Sequence, residues 1–374
     1  MYKQIGILTG GGDAPGLNAA IRAIVRTAIG EYGMTCVGIE DSFEGILGET
    51  HTVKLTTKSV SGILPRGGTI LGTRNRGSFV KIINGKVNFP AMPIGEALAN
   101  LDILGIEALI AIGGEGTLGI AEQFHKRGFP VIGVPKTIDN DLAATELTFG
   151  FMTAIDIATE ALDRLHTTAA SHDRVMILEV MGRNTGWIAL HAGLAGSADV
   201  ILIPEIPFSF DSIMRKVRAR EQSGSRFTNI VVAEGAMELG QSEIYQDQDM
   251  ARLGGVGEHI RRRVEQMTGK ESRCVVLGHL QRGGSPNAFD RVLGTNFGAC
   301  AVRALVGGET GKMVALQAGT IVTAPLSEAC ANIKKVPIDG QLVRTARDIG
   351  ISFAAPKESK MGEDSMYEIR VNGS

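Results

Sequence analysis

Residues 5–16, IGILTGGGDAPG, indicate the class of fold. A short apolar run at 5–8 leads into three consecutive glycines, and residues 18–29 soon afterwards carry an apolar stripe with helical spacing that begins at Ala19. Continuous apolar runs that end at glycine are typical of buried parallel strands. The segment therefore predicts a strand, a glycine-rich turn and a helix, in that order.

The same pattern recurs along the chain. Further apolar runs that end at glycine or at a short polar turn lie at 108–112, 131–134, 175–180, 230–233 and 274–277. Between two of them, residues 151–165 carry apolar side chains at three- and four-residue steps, which predicts an amphipathic helix. Strands that alternate with helices predict a doubly wound α/β fold with largely parallel sheets. At roughly 150 residues per domain, 374 residues favour two domains.

Composition excludes several classes of protein. The 38 Lys and Arg residues nearly balance 40 Asp and Glu, so the chain lacks the charge of a polybasic nucleic-acid or membrane-surface protein. No apolar run approaches the length of about 18 residues that spans a bilayer. Four cysteines lie far apart without zinc or redox spacing. We expect a reduced, cytoplasmic protein that binds neither membrane nor nucleic acid.

Two glycine-rich loops are candidate phosphate sites, because ligands of doubly wound sheets lie at the carboxyl ends of the strands. In Gly10–Gly16 and in GGEGT at 113–117, bare backbone N–H groups precede a helix, which suits a phosphate. The carboxylate of Glu115 beside a phosphate suits Mg²⁺. The alternatives are an ordinary strand-to-helix turn and, for Glu115, a helix N-terminal charge.

The sequence PKTIDND at 135–141 is the sharpest signal of chemistry. Phosphoryl transfer needs a base for the attacking hydroxyl and groups that compensate phosphate charge, and this segment offers carboxylates, a hydroxyl and a lysine. An Asx-rich turn is the alternative. Basic residues at or near the ends of two other predicted strands suit a grip on phosphate: Arg174, Arg183, Arg273, His279 and Arg282.

These motifs, together with GGTILGT at 67–73 and GHLQRGG at 278–284, follow the order and spacing of 6-phosphofructokinases, which the chain resembles over about residues 3–325. The resemblance implies two doubly wound, Rossmann-like domains. The larger, donor-binding domain would comprise 1–150 plus about 281–325. The smaller, sugar-phosphate domain would comprise about 151–280 plus 326–374.

The resemblance also implies roles for individual residues. Asp139 aligns with the general base, Thr137 would orient the substrate, and Arg183 would stabilise the transferred phosphoryl group. The implied substrate-binding residues are Thr137, Asp139, Arg174, Met181, Gly182, Arg183, Glu234, Arg273, His279, Leu280, Gln281 and Arg282. In the family, Arg174 and Arg273 come from a neighbouring subunit, which implies a homodimer or homotetramer.

On the donor side, the resemblance places the nucleotide phosphates and Mg²⁺. The implied residues are Gly12, Asn75, Arg76, Gly114, Glu115, Gly116 and Thr117, with Glu115 at the magnesium position, where aspartate is more usual. Phe43 stands where an adenine-stacking tyrosine often lies.

Two positions disagree about the phosphoryl donor. Gly116 is typical of ATP users, and Lys136 of pyrophosphate users. An aspartate at 116 would repel the α-phosphate by roughly 4 kcal/mol at 4 Å, whereas a lysine tolerates ATP. We therefore expect an ATP-dependent 6-phosphofructokinase, from the ATP-using branch of a mixed clade, that makes fructose 1,6-bisphosphate in glycolysis. The alternative is a pyrophosphate-dependent phosphotransferase. Asp139 argues against a catalytically silent subunit.

Overall fold

A computed structural model describes residues 2–74, 77–83, 86–247 and 252–356. Within these ranges the strands are β1 (Gln4–Thr9), β2 (Thr35–Ile39), β3 (Thr52–Leu55), β4 (Lys81–Ile83), β5 (Lys86–Asn88), β6 (Ala108–Gly113), β7 (Val131–Pro135), β8 (Val175–Val180), β9 (Val200–Leu202), β10 (Thr228–Ala233), β11 (Tyr245–Asp247), β12 (Arg252–Leu253), β13 (Ser272–Val276), β14 (Lys312–Gln317) and β15 (Thr320–Pro325). The helices are α1 (Leu17–Tyr32), α2 (Ala91–Ile103), α3 (Glu115–Lys126), α4 (Phe151–His172), α5 (Trp187–Ala195), α6 (Phe210–Gln222), α7 (Val256–Thr268), α8 (Ala288–Val306), α9 (Leu326–Ala329) and α10 (Gln341–Asp348), with 3-10 helices at Ser42–Ile46 and Gly278–Gln281.

The chain forms two compact units. The first contains the chain up to Ala154 together with His279–Lys334. Its seven-stranded sheet has the order β15-β14-β7-β6-β1-β2-β3. The five central strands run parallel, and the two edge strands, β3 and β15, are antiparallel to their neighbours. This arrangement confirms the predicted α/β class.

Alternating side chains of the central strands fill a core on each face of this sheet. In β1, Ile5 and Ile7 belong to one core and Leu8 to the other. On the first face α1 packs against α8, where a Cβ on Gly298 would lie 2.5 Å from the Ala20 carbonyl oxygen. A glycine is needed there because the two helix backbones approach so closely.

The second unit contains Ile155–Gly278 and the chain from Lys335 onward. Its sheet has four parallel strands in the order β13-β8-β10-β9. Glu179 on β8 is buried, and its carboxylate accepts the N–H groups of Gly255 (3.0 Å) and Gly257 (2.8 Å), at the start of α7. Charge-assisted bonds of this kind stabilise a helix N-terminus.

The chain returns to the second unit after Lys334 rather than at residue 326, where the sequence analysis placed the boundary. Leu326 and Ala329 on α9 are buried in a core of the first unit, so the segment after β15 stays there. Among the described residues, no helix combines the length and apolarity required to cross a membrane.

Candidate active site

Three predicted loops meet at the carboxyl edge of the seven-stranded sheet. The loops after β1, β6 and β7 lie side by side because these strands are neighbours in the sheet. The Gly10 N–H donates to the Ile112 carbonyl (2.9 Å), and the Lys136 N–H to the Gly113 carbonyl (3.0 Å). Sequence alone could anticipate this meeting, since parallel strands end at one edge.

Glycines let other groups approach the first of these loops closely. A Cβ on Gly10 would lie 2.5 Å from Thr117 Oγ1, and one on Gly12 would lie 2.4 Å from Arg282 Nη1. Side chains at these positions would displace Thr117 and Arg282. Glycine at position 10 is therefore needed for packing within this edge, whereas at position 12 the flexible guanidinium of Arg282 could move aside.

Lys136 is buried beneath the first loop, with 3 % of its surface exposed, and its ammonium donates to the Gly12 carbonyl. Burial and, to a smaller extent, the neighbouring Arg282 guanidinium lower the pKa of Lys136 to about 8. Arg282 itself donates to the Asp13 carbonyl at 3.1 Å. Two cations thus lie beside this loop.

Glu115 and Gly116 form the exposed first turn of α3, after Gly114 as its N-cap. A Cβ on Gly116 would meet no atom within 4 Å. Within the described ranges no three metal-ligating side chains cluster. A single carboxylate still fits Mg²⁺ bound mainly by phosphate oxygens and water. Asn75 and Arg76 lie outside the described residues.

Phe43, which stands where an adenine-stacking tyrosine often lies, is buried in a core of the first unit. Phe43 is only 1 % exposed and its ring packs on Phe124 (centroids 5.1 Å apart) and Phe79 (5.6 Å). A phenylalanine has no hydroxyl to keep at the surface, so burial in an aromatic cluster is the more stable arrangement.

Residues 137–148 form a loop with its own hydrogen-bond network, which we call the catalytic loop. Thr137 and Asp139 are buried, and the Asp139 N–H donates to Thr137 Oγ1 at 3.1 Å. Thr148 Oγ1 donates to the Thr137 carbonyl (2.7 Å), and the Thr148 N–H to Asn140 Oδ1 (3.1 Å). Asn140 has a φ of 50°, a left-handed conformation that asparagine tolerates well. These bonds fix the backbone on both sides of Asp139.

The second unit places Met181, Gly182, Arg183 and Glu234 at the carboxyl edge of its own sheet, after β8 and β10. The Arg183 N–H donates to Glu234 Oε1 at 3.0 Å, and the Arg183 side chain is exposed. A Cβ on Gly182, which has a φ of 140°, would lie 2.5 Å from the Thr185 carbonyl oxygen. The loop therefore requires glycine at this position, and it presents an arginine whose backbone is held by an acid.

The two remaining predicted arginines lie at the opposite edge of this sheet. Arg174 immediately precedes β8 and Arg273 is the second residue of β13, so both lie at the amino ends of parallel strands. Arg174 donates to Glu271 through Nε (2.7 Å) and Nη2 (2.9 Å), and Arg273 donates to the same carboxylate. The six residues of β8, about 20 Å of strand, separate Arg174 from Met181.

Arg174, Arg273, His279 and Arg282 are the predicted phosphate-binding side chains, which we call the clamp. The last two belong to the first unit, in and just after the 3-10 helix at Gly278–Gln281. His279 and Leu280 are exposed, whereas Gln281 is buried. The Arg282 N–H donates to the His279 carbonyl at 3.0 Å. Each unit thus holds two of the four predicted phosphate-binding side chains, which are Arg174, Arg273, His279 and Arg282.

The sequence analysis missed two residues that support the loops. In the second unit, Glu205 accepts the N–H groups of Gly186 (3.1 Å) and Val336 (2.9 Å), and burial raises its pKa. In the first unit, Lys334 donates to the catalytic loop. Neither residue lies within a recognisable motif, because each acts on a loop distant in the sequence.

The model of the phosphofructokinase family matches residues 4–305. The chain belongs to this family. Among curated phosphofructokinase relatives, it is 57 % identical to an ATP-dependent 6-phosphofructokinase of Chloroflexus aurantiacus, over 94 % of this chain and 98 % of that one. It is 51 % identical to a pyrophosphate–fructose 6-phosphate 1-phosphotransferase of Streptomyces coelicolor, over 89 % of this chain and 96 % of that one. The Pichia pastoris phosphofructokinase structure in the T-state superposes with a TM-score of 0.77 at 32 % identity, over 94 % of this chain and 37 % of that one.

Proposed function

We propose that this chain is an ATP-dependent 6-phosphofructokinase, which transfers the terminal phosphoryl group of ATP to the C1 hydroxyl of fructose 6-phosphate. The observation that carries the proposal is Asp139, a buried carboxylate in an internally bonded loop at the end of β7. The identity of 57 % to an ATP-dependent 6-phosphofructokinase supports it.

The donor binds to the first unit. The glycine-rich loop that contains Gly12 and the residues Gly114–Thr117 bind its phosphates, and the N-terminus of α3 favours their negative charge. Glu115 is the residue that would hold the Mg²⁺ that accompanies the nucleotide. When bound, Mg²⁺ neutralises charge on the phosphate oxygens.

The acceptor hydroxyl loses its proton to Asp139. Thr137 orients the sugar, because its hydroxyl lies one hydrogen bond from the backbone of Asp139. The exposed guanidinium of Arg183 stabilises charge on the phosphoryl group in flight. Met181, Gly182 and Glu234 bind the sugar.

Arg174 and Arg273 bind the 6-phosphate of substrate held by a second copy of the chain. This assignment follows from the strand between Arg174 and Met181, which is about 20 Å long and lies within one compact unit. His279, Leu280, Gln281 and Arg282 complete the substrate contacts. The protein is accordingly a homo-oligomer.

One observation favours pyrophosphate as an alternative donor, namely the lysine at position 136. In the structure its ammonium is bound to the Gly12 carbonyl beneath the loop. The position that would oppose ATP, Gly116, carries no side chain and is exposed. We therefore assign ATP as the donor.

A coupled assay with fructose 6-phosphate and Mg²⁺, in which ATP and pyrophosphate are offered separately, tests the proposal. We expect turnover with ATP and a kcat/KM for pyrophosphate lower by at least tenfold, a preference worth about 1.4 kcal/mol. A preference for pyrophosphate would establish the alternative. Turnover with neither donor, in protein with a cooperative thermal transition, would refute both.

A further inference from the structure

Lys334 contacts the catalytic loop from a segment distant in sequence. Its ammonium donates to Asn140 Oδ1 (3.1 Å) and to the carbonyls of Thr145 (2.8 Å) and Glu146 (2.9 Å). An ammonium has three N–H groups, so it can donate to several acceptors at once. The two ends of the loop, on either side of residues 141–144, therefore meet at one cation.

The backbone of the same segment also pairs with the loop. The Lys334 N–H donates to the Asp141 carbonyl at 2.8 Å, and Ile333 forms an antiparallel bridge with Leu142. Leu142 is buried in a core of the first unit. Residues 333–334 thus act as a short additional strand along the catalytic loop. The side chain of Lys334 links Asn140 to the carbonyls of Thr145 and Glu146.

The contact with Asn140 bears directly on Asp139. Asn140 follows Asp139 in the chain and adopts the left-handed conformation, and its Oδ1 accepts from both Lys334 and Thr148. A left-handed residue is stable only where its surroundings hold it. Without the ammonium, Oδ1 and two carbonyls would each lose a charge-assisted partner.

This placement is unfavourable for the Lys334 ammonium, because it removes part of the charged group from water. Burial lowers its pKa to about 8, against the attraction of Asp141 and Glu146. A surface lysine would avoid this cost by remaining in water. The hydrogen bonds of the Lys334 ammonium to the catalytic loop offset this desolvation, and they give the cation a specific role in ordering the loop.

We propose that Lys334 is a positioning residue, which holds Asn140 and thereby aims the carboxylate of Asp139 at the acceptor hydroxyl. The inference rests on the proposed function, in which Asp139 is the general base. A misplacement of about 1 Å at a reacting group can lower the rate about 100-fold. The effect should therefore fall on kcat, since Lys334 contacts the loop rather than the donor loops.

The test compares Lys334→Met, Lys334→Arg and the matched control Lys335→Met, whose side chain is exposed. We expect Lys334→Met to lower kcat about 10- to 100-fold, with KM for ATP and fructose 6-phosphate within about threefold of wild type. Lys334→Arg, which retains charge and donors, should recover at least a third of the lost turnover on a logarithmic scale. Lys335→Met should match wild type.

The wild-type protein, assayed alongside, separates the two proposals. If wild type phosphorylates fructose 6-phosphate while Lys334→Met retains its kcat, the positioning role is refuted and the proposed function stands. Equal losses in Lys334→Met and Lys334→Arg, or a rise in both KM values as large as the fall in kcat, would also refute it. Thermal transitions confirm that each variant is folded, and Lys334→Arg serves as the test variant if the methionine variant is not.

Discussion

The catalytic loop and the pair formed by Arg174 and Arg273 differ in how they are held. Residues 137–140 of the loop are buried, and the loop is held by hydrogen bonds from its own residues and from Lys334. The two arginines are partly exposed, and both bind one carboxylate, Glu271, whose pKa Arg174 holds below its usual range. The first region is complete before substrate arrives. Under the proposed function, the second must exchange a carboxylate for a phosphate, and it lies at the edge of its sheet remote from Met181.

The largest expected effect is that of Asp139→Asn in the catalytic loop. The amide is isosteric but cannot accept the hydroxyl proton, so kcat should fall about 10²- to 10⁴-fold. Fructose 6-phosphate binding and the thermal midpoint should stay close to wild type, because the Asp139 N–H bond to Thr137 is retained. Turnover above a third of the wild-type value would show that Asp139 is not the general base.

Oligomers that mix two kinds of variant subunit test the pair formed by Arg174 and Arg273. Arg174→Ala and Asp139→Asn proteins should each be nearly inactive, but a hybrid oligomer would contain sites with one intact base and one intact clamp. An equal mixture assembled together should recover about a quarter of wild-type activity, the statistical share of such sites in a two-fold pair. No recovery, in a sample shown by mass spectrometry to contain hybrids, would place the clamp and base of each site in one chain.

Gly116→Asp tests the exposed first turn of α3, which lies in the proposed donor site. A side chain fits there without contact, and an acid in the first turn of α3 suits the helix N-terminus, so folding should be unaffected. Its charge should lower kcat/KM for ATP at least about tenfold more than that for pyrophosphate, through repulsion of the α-phosphate. Gly116→Asn is the matched control for bulk. Equal losses for both donors would mean that this position does not select the donor.

The smallest expected effect concerns Lys136→Met. Below about pH 8 the buried ammonium is charged and, under the proposed function, assists a phosphate donor, whereas above about pH 8 it is neutral. The ratio of wild-type to variant kcat/KM for ATP should be several-fold at pH 7 and should decline as the pH rises through about 8. A ratio that does not change between pH 7 and pH 9 would show that the charge of Lys136 has no part in donor use.

The sequence predicted the parallel strands and the loops at their carboxyl ends because both depend on local patterns. Apolar runs ended by glycine mark strands, and neighbouring parallel strands bring their end loops together. It did not predict the burial of Phe43, since the aromatic partners Phe79 and Phe124 come from distant segments. Lys334 was missed for the same reason. Its role arises from a bridge between Leu142 and Ile333 that no local pattern encodes.

The length of β8 has a consequence for how much enzyme is needed. Under the proposed function, a single folded chain carries Arg174 and Arg273 where its own substrate cannot reach them, about 20 Å along the strand from Met181. Dilution below the dissociation constant of the assembly would therefore abolish catalysis without unfolding the chain. Specific activity would rise with protein concentration. The amount of enzyme that is synthesised would therefore set the turnover per chain as well as the number of chains.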